Sequence, residues 1–482
     1  MKQRSLKVNA VLNIIYKLSS IVFPLIVYPY VSRVLLADNM GKVSFFTALT
    51  NYAMMIGSLG VSTYGVRATA KVRDDKRELS ITVKELMRLN LIVTSIVLLV
   101  LIGTVPFVVR FQQNWPLLLI SCIQIAVAPF SMEWLYNGLE QYDYITRRAI
   151  TIKLISLVLI FTFVHKRSEY VIYAGIMAFG YVGNYIWNYT HSRRFIDYSV
   201  KTKWNIKRHL KPTILLFASI LAINIYTNVD TIMLEFINGD RAVGLYDVAV
   251  KAKLVLLQLI NAISMVLFPR LSYYLANDDV NSYNKILKKS ISIIMCLAVP
   301  MCLFFIIGAK DVVLVLGGSD YVDATLGMQI LMPILVISGF SNITGNQMLL
   351  PHGKDSSYMK AVTCGAVVDI ILNLVFMPKF SLYGAAAATL VAEIVQMSIQ
   401  TYEAKEYIKG NFNFAEVIRI AIAAFLSTIV LVLIRNHVSF ASLINLIICF
   451  IAFACIYALL LIVFRVGVFT ELLAESSHKL HR

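Results

Sequence analysis

Apolar stretches about 20 residues long recur along this chain, each matching the roughly 30 Å hydrocarbon core of a bilayer. About fourteen of them follow one another with short loops between. Hydrocarbon offers the backbone no water, so each stretch must close its own N–H···O=C bonds, which a helix does. The sequence therefore predicts an all-α polytopic membrane protein of about 14 transmembrane helices. Only 15% of its 482 residues are charged and 59% are hydrophobic, against about 25% charged in a soluble domain. No loop exceeds about 20 residues, which leaves no room for a soluble catalytic domain.

The formal charge is +17, yet its distribution argues against nucleic acid as a partner. Alternate loops divide the basic residues into about 32 on one side of the membrane and about 9 on the other, the pattern of the positive-inside rule. The rich side holds Lys2, Arg4 and Lys7, the segment from Arg67 to Arg88 and the segment from Arg193 to Lys211. An even number of helices returns the C-terminus to it. Both termini are expected in the cytoplasm, in a multi-pass protein of the cytoplasmic membrane. The first apolar run is too long for a signal peptide, contains Lys17 and has no small-residue cleavage site, so it reads as a permanent helix. The six cysteines lie in apolar spans with no CxxC. GxxxxGK[ST], HExxH and GxSxG motifs are missing. No cofactor or metal is called for, and transport driven by a gradient, rather than enzymatic chemistry, is the simplest expectation.

The basic linker from Arg193 to Lys211 suggests two halves. Gly41 opens helix two and Arg67 closes it; Gly244 and Arg270 do the same for helix eight, both pairs about 26 residues apart. Helices four and ten each end in a glycine turn, Tyr136-Asn137-Gly138 and Pro351-His352-Gly353. The expected organisation is two six-helix lobes in parallel, residues 1–210 and 211–410, followed by two helices and a cytoplasmic tail in 411–482. Among the expected spans are helix one (Val8–Val34), two (Val43–Tyr64), four (Pro116–Asn137) and five (Ile150–Val164). Later ones include ten (Gly327–Leu350), eleven (Tyr358–Met377) and twelve (Leu382–Tyr402).

Polar residues inside such spans should face a bundle interior or a wet cavity, because a charge at the bilayer centre costs at least about 2.5–3.5 kcal/mol. Helix one places Asn9, Asn13, Lys17, Ser20 and Pro24 on one stripe. Helix two carries Asn51, and helix seven Asn224 and Asn228 with Asp230 beside them. Helix eight carries Asp247, Lys251, Gln258 and Asn261 in one sector. Two readings stand for the cations: Lys17 and Lys251 line a cavity, or Lys17 snorkels to the interface and Lys251 pairs with Asp247 one turn away. Arg33, Arg67 and Arg270, at helix ends, are interfacial anchors or phosphate ligands. Asp369 (with Asn373), Glu393 and Glu133 are acids within spans, either structural or able to exchange a proton.

Several runs carry a family resemblance. Pro29-Tyr30-Val31-Ser32-Arg33-Val34-Leu35, Trp134-Leu135-Tyr136-Asn137-Gly138-Leu139-Glu140 and Tyr226-Thr227-Asn228-Val229-Asp230 resemble the Wzx family of polysaccharide flippases. So do Gly244-Leu245-Tyr246-Asp247-Val248-Ala249-Val250-Lys251, Phe268-Pro269-Arg270, and Leu372-Asn373 followed by Pro378-Lys379-Phe380 and Gly384-Ala385-Ala386. The chain departs from that pattern at Leu36-Ala37 and at Ser381, where the family has glycine. The resemblance implies the multidrug/oligosaccharidyl-lipid/polysaccharide exporter superfamily, with two six-helix lobes around a central cavity and alternating access. It implies an undecaprenyl-diphosphate-linked oligosaccharide as substrate, for O-antigen, capsule or exopolysaccharide, with a polysaccharide polymerase and chain-length regulator as partners beside membrane lipids. On that reading Lys17, Lys251, Arg33, Arg67 and Arg270 attract the diphosphate. Asn13, Asn51, Asn224, Asn228, Gln258 and Asn261 bind sugar hydroxyls, and Asp230, Asp369 or Glu393 couples the cycle to an ion. The alternatives are a cation-coupled multidrug exporter and a lipid-linked peptidoglycan precursor flippase of the same superfamily.

Overall fold

A computed structural model describes residues 6–201, 205–435 and 441–471, with side chains described in them except at 6–18, 21, 219–220 and 222–228. Among the described residues the ordered elements are helices, with no strand, and eight helical spans are long and apolar enough to cross a bilayer. The chain divides into two compact units, residues 1–232 and 233–482.

The first unit begins with α1 (Leu6–Ser58), α2 (Val61–Lys71), α3 (Lys76–Thr104) and α4 (Val109–Gln113). It continues with α5 (Trp115–Val127), α6 (Glu133–Gly138), α7 (Tyr142–Phe163), α8 (Tyr170–Ser192) and most of α9 (Lys207–Asn238). At 53 residues α1 would measure about 80 Å, far more than one bilayer. Leu36 interrupts it with φ 64° and ψ 172°, so α1 is two spans joined at the boundary expected between helices one and two. That backbone region belongs almost wholly to glycine and costs another residue about 1–3 kcal/mol. The same conformation recurs at Gly239 (φ 87°, ψ −179°), ahead of the next long helix. Leu36 and Gly239 are separated by the same interval as Gly41 and Gly244, or Arg67 and Arg270.

Helix four does not run unbroken as expected. Pro129 and a left-handed Met132 (φ 44°) separate α5 from α6, because proline removes a donor and crowds the preceding turn. The short α6 then packs closely on α2: a Cβ on Gly65 would meet the Trp134 ring at 2.6 Å. Val61, Leu86, Trp134, Leu135 and Tyr136 are buried in this core. Helix five starts earlier than expected, at Tyr142.

The basic linker is docked on α3. The Lys84 ammonium donates to the carbonyls of Tyr198 (3.0 Å) and Val200 (2.6 Å). The fully buried Glu85 carboxylate accepts from Asn205 N–H and Arg208 and lies 2.9 Å from His209 Nε2. Within the linker, the Ser199 hydroxyl and N–H hold the Asp197 carboxyl below the ordinary aspartate range.

The second unit holds α10 (Asp240–Ala276), α11 (Val280–Ile307), α12 (Ala309–Leu316), α13 (Ala324–Leu331) and α14 (Ile334–Asn342). Then come α15 (Asp355–Glu403), α16 (Lys405–Ile408), α17 (Phe414–Arg435) and α18 (Ser442–Val463). Helix ten, expected as one piece, is α13, a break before Pro333, α14 and a π-helical turn over Ile343–Leu349. In α15, Ser381 (φ 52°, ψ −131°) separates the two expected spans. There the backbone folds back tightly, and a Cβ on Gly384 would sit 2.5 Å from the Phe376 carbonyl oxygen. Arg435 ties α17 to Asp311 (2.9 Å) and to the Ile307 carbonyl.

Candidate functional site

On α7, Arg148, Ile152 and Ser156 recur every fourth residue, and Ala149 and Lys153 form the adjoining row, so all five share one face. On α8 the same periodicity aligns Gly180, Tyr181, Asn184, Tyr185 and Asn188. These faces, with Ser20 and Pro24 of α1 and Glu133 at the start of α6, line an open-sided cavity of about 390 Å³ inside the first unit. That volume lies in the range of small-molecule pockets, about 300–1,000 Å³.

Local sequence explains why a cation is turned into it. Asp143 pairs with Arg147 at 2.9 Å one turn away on the outer face. Arg148 is rotated about 100° further round the helix and is only 3% exposed. Its guanidinium donates to Asn188 Oδ1 and lies 5.5 Å from the Tyr144 ring centre. Among the described residues no carboxylate is within ion-pair distance of it, and its Nε has no partner. Asn188 is fixed in turn: its amino group donates to the Ser131 carbonyl, and the Tyr144 hydroxyl donates to Oδ1 at 3.2 Å. The loop before α6 and the aromatic edge of α7 thus hold Arg148 in place.

The Lys153 ammonium donates to Ser19 (3.0 Å) and Ser20 (2.8 Å) on α1. Glu133 lies in the first turn of α6, where the helix dipole favours a carboxylate. The Asn184 amino group donates to the Gly180 carbonyl at 2.5 Å. This bond settles the orientation of the amide and leaves its Oδ1 buried without a partner, as is Ser156 Oγ. Such atoms are uncommon in dry cores. The wall is therefore largely apolar, with two tyrosine rings, and carries Arg148, Lys153 and Glu133 together with amide and hydroxyl groups.

With this geometry in view, comparison with known proteins decides the family. The polysaccharide biosynthesis protein family matches residues 6–275. The chain belongs to that family. The lipid II flippase MurJ family also matches, over residues 150–457, and the two place the chain among the Wzx-type flippases of the multidrug/oligosaccharidyl-lipid/polysaccharide exporter superfamily. Among curated relatives, the proposed O-antigen transporter of Escherichia coli (strain K12) is 24% identical over 406 residues, 82% of this chain and 95% of that protein. Among solved structures, the inward closed conformation of lipid II flippase MurJ superposes with TM-score 0.77 at 15% identity, over 95% of this chain and 99% of that one. An inward-facing MATE family multidrug transporter gives 0.59 at 13% identity, over 81% and 94%. At these identities the two structures speak to the fold alone, an all-α one.

In this member of the polysaccharide biosynthesis protein family the residues singled out from sequence fall into several groups. Asn13, Lys17, Asn224 and Asn228 lie outside the described side chains. Arg33, Arg67 and Arg270 are exposed at helix ends, Arg33 donating back to the Pro29 carbonyl at 2.9 Å. Lys251 is paired with Asp247 at 2.6 Å, the self-neutralising arrangement. Asn51 and Gln258 are exposed. Asn261 accepts from Asn342 (2.6 Å), which accepts from Asn346 (3.0 Å) on the π-helical turn, an amide ladder that sequence spacing did not reveal. Asp230, Asp369 and Glu393 are buried, and Glu393 accepts from Ser338 at 2.8 Å.

The first-unit cavity was missed: helix five was expected over Ile150–Val164, with an extension through Thr146 to Lys153 left open, and neither Arg148 nor its neighbours on α8 were singled out. The fourfold spacing of Arg148, Ile152 and Ser156 was the available signal.

Proposed function

We propose that this chain flips undecaprenyl-diphosphate-linked oligosaccharide repeat units across the cytoplasmic membrane by alternating access, with both termini in the cytoplasm. The observation that carries this reading is the family match over more than half the chain, supported by a curated relative covered almost end to end. The cations, amides and hydroxyls set into this largely apolar cavity suit an anionic, hydroxyl-rich headgroup that hydrocarbon would exclude. Asp230, Asp369 and Glu393, carboxyls buried within apolar helices, are proposed to couple the cycle to an ion gradient. The exposed cations Arg33, Arg67 and Arg270 are proposed to attract the diphosphate. A polymerase and a chain-length regulator are the proposed partners downstream. The test is complementation: in a strain lacking its O-antigen flippase, this chain should restore surface polysaccharide without raising drug tolerance. Drug tolerance without polysaccharide would overturn the reading in favour of multidrug export.

A further inference from the structure

We propose that the cavity between α1, α6, α7 and α8 binds a sugar carrying a carboxylate, so that the exported glycan contains an acidic residue. This rests on the flippase reading and names the substrate class within it.

The argument is one of charge and of donors and acceptors. Arg148, Lys153 and Glu133 line the cavity, leaving one net positive charge on its described wall. Arg148 is almost wholly buried, with no carboxylate partner among the described residues. A buried cation left uncompensated is strongly destabilising, so the site is completed by an anion. The unused groups then define what else that anion must carry. Arg148 Nε requires an acceptor, Asn184 Oδ1 requires a donor, and Ser156 takes either. A fully ionised phosphate offers acceptors alone and would set its oxygens against Asn184 Oδ1. A neutral sugar offers hydroxyl donors but no charge. A uronic acid offers both on one ring, and Tyr181 and Tyr185 supply flat apolar surface for its C–H face. The cavity's 390 Å³ suits a ligand of that size class.

The experiment uses the full chain in lipid nanodiscs, titrated with D-glucuronate, D-glucose and inorganic phosphate and read by calorimetry and thermal shift. Glucuronate should bind at least about tenfold more tightly than glucose, the worth of one charge-assisted hydrogen bond, and more tightly than phosphate. Arg148→Gln and Lys153→Gln should each abolish that preference. Lys153 is half-buried and donates to the Ser19 and Ser20 hydroxyls, so its variant keeps the test open if Arg148→Gln fails to fold. No glucuronate binding at its highest soluble concentration overturns the proposal, as do equal binding of glucuronate and glucose or a preference that survives in Lys153→Gln. Tighter binding of phosphate also overturns it and assigns the cavity to a phosphate group. Restored export of a neutral glycan without glucuronate binding would sink this inference alone, whereas no glycan export in any strain would sink the flippase reading beneath it.

Discussion

Arg148 on α7 and Lys251 on α10 are both cations within apolar helices, and the chain treats them in opposite ways. Lys251 has Asp247 one turn before it, 2.6 Å away, and both keep some contact with solvent. Arg148 has Tyr144 one turn before it, and the nearby Asp143 is taken by Arg147. One cation is neutralised within its own helix; the other is held by an amide and an aromatic ring, which leave its charge in place. A cation in a membrane helix is thus no binding group in itself. What decides is whether the residue one turn away carries the opposite charge, and by that criterion Arg148 is the stronger ligand.

The sharpest way to break this comparison is to give Arg148 the counter-ion it lacks. Ile152 is one turn after Arg148 on the same cavity wall and is buried. Ile152→Asp should set a carboxylate beside the guanidinium, as Asp247 is set beside Lys251. The expected loss of glucuronate affinity is about tenfold to a hundredfold, one charge-assisted hydrogen bond of roughly 1.5–3 kcal/mol. Protein yield and thermal unfolding should stay near wild type, because the new acid is paired when it is buried. Undiminished affinity in a folded Ile152→Asp protein would mean that the charge of Arg148 is irrelevant to binding.

A second contrast between the units lies in the backbone. Leu36 and Gly239 occupy the same glycine-type conformation at the start of corresponding helices, but only one of them is glycine. Gly239→Ala should destabilise the protein by about 1–3 kcal/mol, measured by thermal or denaturant unfolding, because any Cβ is strained there. Ser381→Gly should stabilise it by about 1 kcal/mol, since relief of the strain at φ 52° outweighs the added freedom of the unfolded chain. Destabilisation by Ser381→Gly would show that its side chain contributes more than its backbone costs.

How much was legible in the sequence follows the same division between local and non-local information. Helix-length apolar runs are local, and they gave the all-α class and the boundaries near Leu36 and Ser381. The interval relating Gly41 and Arg67 to Gly244 and Arg270 also separates Leu36 from Gly239. The pairing of Asp247 with Lys251 was also readable, since four residues is one turn. Two things were not. The breaks near Pro129 and Pro333 carry proline's local signature, but hydropathy averages across them, so helices four and ten read as single spans. The cavity depends on Asn188 reaching across from α8 to Arg148, a contact 40 residues distant in sequence.

The converse of the counter-ion experiment carries the smallest expected effect and tests the other half of the comparison. Asp247→Asn removes the carboxylate from Lys251, whose side chain is 37% exposed. An ammonium with that much access to solvent can hydrate when its partner is lost, and exposed pairs are worth about 0–1 kcal/mol. The unfolding midpoint of Asp247→Asn should therefore change by no more than that energy implies, and raised salt should narrow the gap to wild type further. A loss of about 3 kcal/mol or more would be the behaviour of a desolvated pair. Lys251 would then be a buried cation like Arg148, differing only in that its counter-charge is built in. The rule drawn from the two residues would hold in that case, but exposure would no longer be part of the reason.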